Sequence, residues 1–136
     1  MAQHSETSYI EQDPKVVRDL AQRSGKVLLA LLEEMRVLDA NDPVAQFLYD
    51  EGAPFIRSVL DGSHPLPSKA VIRHRYYDDW KALEPYPLLS EALGVFSVAI
   101  HAAQPQDWPA YVAKLEEDFA KREVGAGKGL GWRSPT

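Results

Sequence analysis

Cysteine is missing from this chain altogether. Disulfide staples, thiolate nucleophiles and cysteine-ligated zinc or iron–sulfur centres are thereby excluded. A chain of 136 residues can do without staples, because folding at this size buries about two-thirds of the surface that the unfolded chain exposes. The missing thiols also fit a reducing compartment. Long apolar runs are missing too. The longest, VLLALL from Val27 to Leu32, falls far below the ~20 residues that a helix needs to cross a bilayer. No block of clustered lysine and arginine is present, and the net charge is −5 with a pI of about 5.3. That balance argues against nucleic acid or a membrane as partner, since phosphate contacts need concentrated basic charge. The opening residues, MAQHSETSYIEQ, lack the basic start and apolar centre of an export signal, so a cytoplasmic location is expected.

What the chain does have is apolar spacing of helical period. Asp13 and Pro14 read as N-cap and first helical residue. Val17, Leu20, Val27, Leu28, Leu31, Met35 and Leu38 then recur on one face, so a helix is predicted to about Leu38. Gly25 in its middle costs roughly 1 kcal/mol against alanine and marks a bend or a close helix contact. Asp42 and Pro43 open a second helix over Val44, Phe47 and Leu48. Gly52 and Pro54 are expected to break it, leaving a short helix on Phe55, Ile56, Val59 and Leu60. DGSHPLPS is a loop. Ser68 is placed to cap a helix over AVIRHRYYDDWKAL, Ala70 to Leu83, whose Ile72, Tyr76, Trp80 and Leu83 share one face. A very apolar helix is predicted over about Leu88 to Ala103, central in the fold. The last, capped by Asp107, spans about Trp108 to Glu123, with Glu117–Lys121 and Asp118–Arg122 paired on its wet side.

No internal repeat is present, and nothing alternates with period two long enough to make a strand; KAVIRH comes nearest. The expected fold is therefore all-α, a single-domain bundle of about five to six helices with breaks marked by proline and glycine. Residues 1–12 read as a flexible N-terminal tail, 13–124 as the helical domain and 125–136 as a glycine-rich C-terminal tail.

Candidate site residues fall into two sets. His74 and Asp78 stand one turn apart opposite the apolar face of their helix, as half a metal site or an acid–base pair would. His64 and His101 are the other ready ligands. His101 shares a narrow strip with Ser90, Gly94 and Ser97, small residues that let a backbone or a flat ligand approach. Against this stands the plain reading of a solvated face with ion pairs and a helix-packing groove. The RHR triplet, Arg73 to Arg75, is largely cancelled by Asp78 and Asp79. GAGKGLG is not a phosphate loop, because Lys128 is followed by glycine and a helix precedes the loop. That tail does carry Leu130, Trp132 and Arg133, side chains of the kind that anchor interfaces, and Trp108 is a further anchor. The leucine-rich run after Val27 serves as core or as a dimer seam.

No Gly-x-Ser-x-Gly, His-Glu-x-x-His, Glu-x-x-His pair or calcium loop occurs. YYDDW, followed by a helix and the GKGLG tail, resembles the helical part of nitrile hydratase and thiocyanate hydrolase beta-type subunits over about ten scattered residues; the intervening spacing differs, the first 65 residues do not fit, and no role is carried over. The expectation is a non-catalytic helical interaction module: an accessory subunit, assembly factor or inhibitor-type partner. It would bind another protein, with homodimerisation a further option and no cofactor. The alternative is a small-molecule or metal-binding helical domain, an enzyme or enzyme subunit among its forms, with its site near His101.

Overall fold

The computed structural model describes residues 8–68 and 86–122, the side chain of Val44 excepted. In chain order these form strand β1 (Tyr9–Glu11), helix α1 (Pro14–Leu38), helix α2 (Pro43–Leu60), helix α3 (Pro87–Ala99), strand β2 (Ala103–Pro105) and helix α4 (Trp108–Lys121). The fold is mainly helical, with four helices among the described residues rather than five or six. The expected helix over Ala70 to Leu83 lies outside the described residues.

Helix α1 begins as its sequence dictates. Pro14 occupies the first turn, and the Asp13 carboxylate accepts the Lys15 amide at 2.8 Å, covering a donor with no partner inside the helix. Its apolar stripe packs against α2, α3 and α4. Val27, Leu28, Leu31 and Leu32 are buried within the chain itself, so the leucine-rich run is core. Gly25 is the close contact: a Cβ there would lie 3.1 Å from the Phe96 ring of α3. Helix α3 buries Leu88, Leu89, Ala92, Leu93, Val95, Phe96 and Ala99, as its wide apolar arc implies, but the central helix is α1, which packs against all three of the others described.

The expected break in the second helix does not occur. Helix α2 runs unbroken through Pro54. Proline removes one amide from the ladder, but Pro54 and Asp50, whose carbonyl loses that partner, both lie on the exposed side. Ala45, Leu48, Ala53, Ile56 and Val59 stay buried along the other face. Their continuous burial outweighs one hydrogen bond that water can replace.

The apolar helix also ends earlier than expected, at Ala99 rather than Ala103. Residues 103–105 pair antiparallel with β1 in the register Tyr9↔Pro105, Ile10↔Gln104 and Glu11↔Ala103. The end of the segment read as a loose N-terminal tail is thus tied into a two-stranded ribbon, extended at either end by Gln12 N–H to Ala102 and Gln106 N–H to Ser8, each 2.8 Å. Three-residue strands are too short to leave a period-two signature in sequence.

The open C-terminal ends of the first three helices are each closed by a glutamine. Gln46 Nε2 donates to the carbonyls of Arg36 and Asp39 at the end of α1. Gln22 Nε2 donates to Val59 and Leu60 at the end of α2. Gln104 Nε2 donates to Ala99 and His101 after α3, each at 3.0 Å. A side-chain amide with two donors suits this task, since the last carbonyls of a helix have no partner within it. Helix α4 uses a cation instead: Arg122 Nη1 donates to the Phe119 carbonyl at 2.9 Å, where the helix dipole favours positive charge. Arg122 does not pair with Asp118 on the wet side. Its guanidinium is nearly buried and bonds to Glu34 of α1, while Asp118 takes Lys114 at 3.0 Å. The other expected pair, Lys121–Glu117, forms at 3.1 Å. No helix among the described residues is long and apolar enough to cross a membrane.

Candidate functional site: the histidine joint and the exposed aromatics

The loop between α2 and the segment after Ser68 carries His64, and the end of α3 carries His101. Both imidazoles meet Ser68. His64 Nε2 lies 2.8 Å from Ser68 Oγ, and His101 Nδ1 lies 2.9 Å from the Ser68 carbonyl oxygen. A carbonyl only accepts, so His101 Nδ1 is the donor of this bond, which selects the tautomer whose lone pair is on Nε2. The Ser68 amide in turn donates to the Ile100 carbonyl at 2.7 Å. The His64 ring stands edge-on to Phe55, centroids 4.9 Å apart, and its amide donates to Ser58 at 3.0 Å.

Around the end of α3 four successive carbonyls each take a donor from beyond the helix. The carbonyls of Ala99 and His101 take Gln104, that of Ile100 takes the Ser68 amide, and that of Ala102 takes the Gln12 amide. Ser68, His101 and Gln104 thus join α3, the ribbon and the α2 loop at one place. Ser68 and Gln104 are buried. A serine hydroxyl at hydrogen-bond distance from an imidazole satisfies the first geometric test for a nucleophile. Burial of Ser68 denies it substrate, and its carbonyl and amide are both engaged in holding the fold. No cluster of three or more histidine, aspartate or glutamate side chains able to hold a metal occurs among the described residues.

The strip expected beside His101 lies on the outer side of α3. Gly94 is exposed, and a Cβ built there meets nothing within 4 Å; no described backbone packs into the groove. Ser97 Oγ donates to the Gly94 carbonyl at 3.0 Å.

Trp108 is half-buried. Its Nε1 donates to the Val95 carbonyl at 3.1 Å, fixing the start of α4 on α3. Its ring lies 4.8 Å from that of Tyr111, and Tyr111 stands 47% exposed. Trp108 is therefore the anchored, half-buried foot of an aromatic pair whose outer member faces solvent. His74, Asp78, Leu130, Trp132 and Arg133 lie outside the described residues. Sequence reasoning does not single out Gln104 or the buried role of Arg122. Glutamine leaves no periodic signal, and Arg122 differs from its neighbours only in a partner 88 residues away.

Several of the charges on the described surface are paired. Arg23 of α1 bonds Glu116 of α4 at 2.7 Å and Asp19 at 3.0 Å, and these partners hold its guanidinium more firmly protonated than usual, Glu116 foremost. Arg57 bonds the Tyr49 hydroxyl at 2.7 Å and Glu33 at 3.1 Å. Burial, then the neighbouring Asp118, pushes the Glu91 carboxyl above the usual range.

The chain matches no family model, no curated protein and no solved structure.

Proposed function

We propose that this protein is a non-catalytic helical interaction module, acting in the cytoplasm as an accessory subunit, assembly factor or inhibitor-type partner of another protein. The observation that carries the reading is the Trp108–Tyr111 pair. An aromatic ring is held out of the core by a neighbour that is itself anchored, at 4.8 Å. Such rigid aromatic groups supply contact area at little entropic cost and are enriched among binding anchors. Leu130, Trp132 and Arg133 would extend that surface, and the acidic balance would steer encounter with a basic partner. The test is tagged full-length protein recovered from its own cells, beside Tyr111→Ser and a chain ending at Arg122. One stoichiometric partner, lost in both variants while circular dichroism is unchanged, is the expected result. Unchanged capture by both variants overturns the reading.

A second reading has one observation behind it: the Ser68 carbonyl fixes the His101 tautomer, leaving Nε2 as the atom able to bind a metal or accept a proton. A small-molecule or metal-binding domain would use it. Native mass spectrometry decides this: a bound mass that His101→Ala removes supports it, and a bare polypeptide mass opposes it.

A further inference from the structure

Arg122 ends the described part of α4, and its side chain is only 9% exposed. One Nη nitrogen bonds Glu34 and the other the Phe119 carbonyl. The guanidinium lies 3.8 Å from the centroid of the Phe119 ring. Its Nε is buried and has no acceptor among the described residues. A guanidinium donor in that position calls for an acceptor close by. One turn beyond Glu34, on either side of its position on α1, stand Val37 at 70% and Leu38 at 38% exposure. The unmatched donor lies where the chain leaves α4 toward residues 123–136, and the exposed Val37 and Leu38 stand one helical turn from the Glu34 that Arg122 bonds.

We propose that this C-terminal segment docks in cis on the last turn of α1, a backbone carbonyl accepting from Arg122 Nε while Leu130 and Trp132 cover Val37 and Leu38. Reach is ample. Leu130 stands eight positions beyond Arg122, up to about 26 Å of extended chain, while one helical turn advances only about 5 Å. Size favours a tethered occupant. Two aliphatic side chains fall far short of the ~1,200 Å² that a free partner or second copy needs for stable association. A tethered segment works at an effective concentration in the millimolar range and needs much less. The docking stands by itself. Its consequence, that a partner must displace Trp132 from its own domain, rests on the interaction reading above.

The absence of native cysteine makes the test clean. Val37→Cys is combined with Gly131→Cys in the purified full-length chain, and intramolecular disulfide formation under mild oxidation is timed by mass spectrometry. The comparison is Glu117→Cys with Gly131→Cys, an exposed position within similar reach of Arg122. The pair at 37 and 131 is expected to close about tenfold faster, and adding Leu38→Asp is expected to abolish the difference. Equal rates overturn the proposal. So does recovery of the thiol introduced at position 37 only in disulfide-linked dimers, which would place a second copy on the site. No binding partner enters the measurement, so its outcome is separate from that of the capture experiment.

Discussion

The Gln104 side chain turns back on its own backbone and donates to the carbonyl of Ala99, closing the end of α3 from five residues further along the chain at 3.0 Å. The same nitrogen also reaches the His101 carbonyl, and the residue is fully buried. Gln104→Leu keeps the bulk and removes the donor. Two carbonyls are then left without their partner, and a loss of about 2–4 kcal/mol is expected. Urea denaturation with an unchanged m-value checks this. Gln104→Glu adds a pH signature. A buried carboxylate facing carbonyls has its folded pKa raised, so the variant is weakest above the ordinary carboxylate range and recovers as acid protonates it. A deficit that stays constant between about pH 7 and pH 4 would contradict that placement.

Gly25 faces the Phe96 ring, and the balance at this site has two sides. Alanine would gain about 1 kcal/mol of helix propensity. Its Cβ would sit 3.1 Å from a ring with no exposure, and overpacking of that kind costs about 1–3 kcal/mol. Gly25→Ala is expected to be destabilised by about 1 kcal/mol, and Gly25→Leu by considerably more. A more stable alanine variant in chemical denaturation would show that the ring yields.

Pro54 interrupts the ladder of a helix that continues regardless. Pro54→Ala restores an amide donor to the Asp50 carbonyl and is expected to raise stability by about 1 kcal/mol, the helical gain exceeding the added freedom of the unfolded chain. A drop in melting temperature would mean that the core is shaped around the proline.

Glu91 on α3 faces Asp118 and Lys114 on α4. Burial first, and Asp118 second, raise its carboxyl pKa, while Lys114 opposes them. A carboxyl raised on folding binds its proton more tightly in the folded state. Its contribution is therefore full below the unfolded pKa and declines as pH rises through the folded one. Glu91→Gln is expected to gain a few tenths of a kcal/mol near neutrality, after solvent screening, and nothing near pH 4. Thermal melts at both pH values decide it, and a gain that persists in acid would point to packing instead of charge.

His101 and His64 are expected to matter for structure. His101→Ala leaves the Ser68 carbonyl without its imidazole donor, and a loss of about 1 kcal/mol follows from one such bond. Serine reactivity is not expected in the intact protein, because Ser68 is buried. Labelling of Ser68 by an organophosphonate probe would reverse that assignment.

Much of the helical content was legible because it rests on local chemistry. Asp13–Pro14 and Asp42–Pro43 precede helices that start at the proline, whose fixed φ suits the first turn, and at Asp13 the carboxylate caps the helix. The apolar period from Val17 to Met35 matches the buried face of α1. The candidate site was legible only in part. His64 and His101 stand out as residue types, but their meeting at Ser68 depends on the α2 loop returning to the end of α3, a relation no spacing encodes. Trp108 reads as an aromatic anchor, while its bond to Val95 and the outward position of Tyr111 depend on how α4 crosses α3.

By itself the sequence determined the helical class, the start of each described helix and the apolar faces that meet, because propensity, capping and period act within a few residues. The tertiary structure decided the rest: that Pro54 is carried through, that Arg122 turns inward to Glu34, and that residues 103–105 leave the helix to pair with the N-terminal strand. In each case a distant partner offsets a local preference worth only a few kcal/mol, and packing supplies energy of that size.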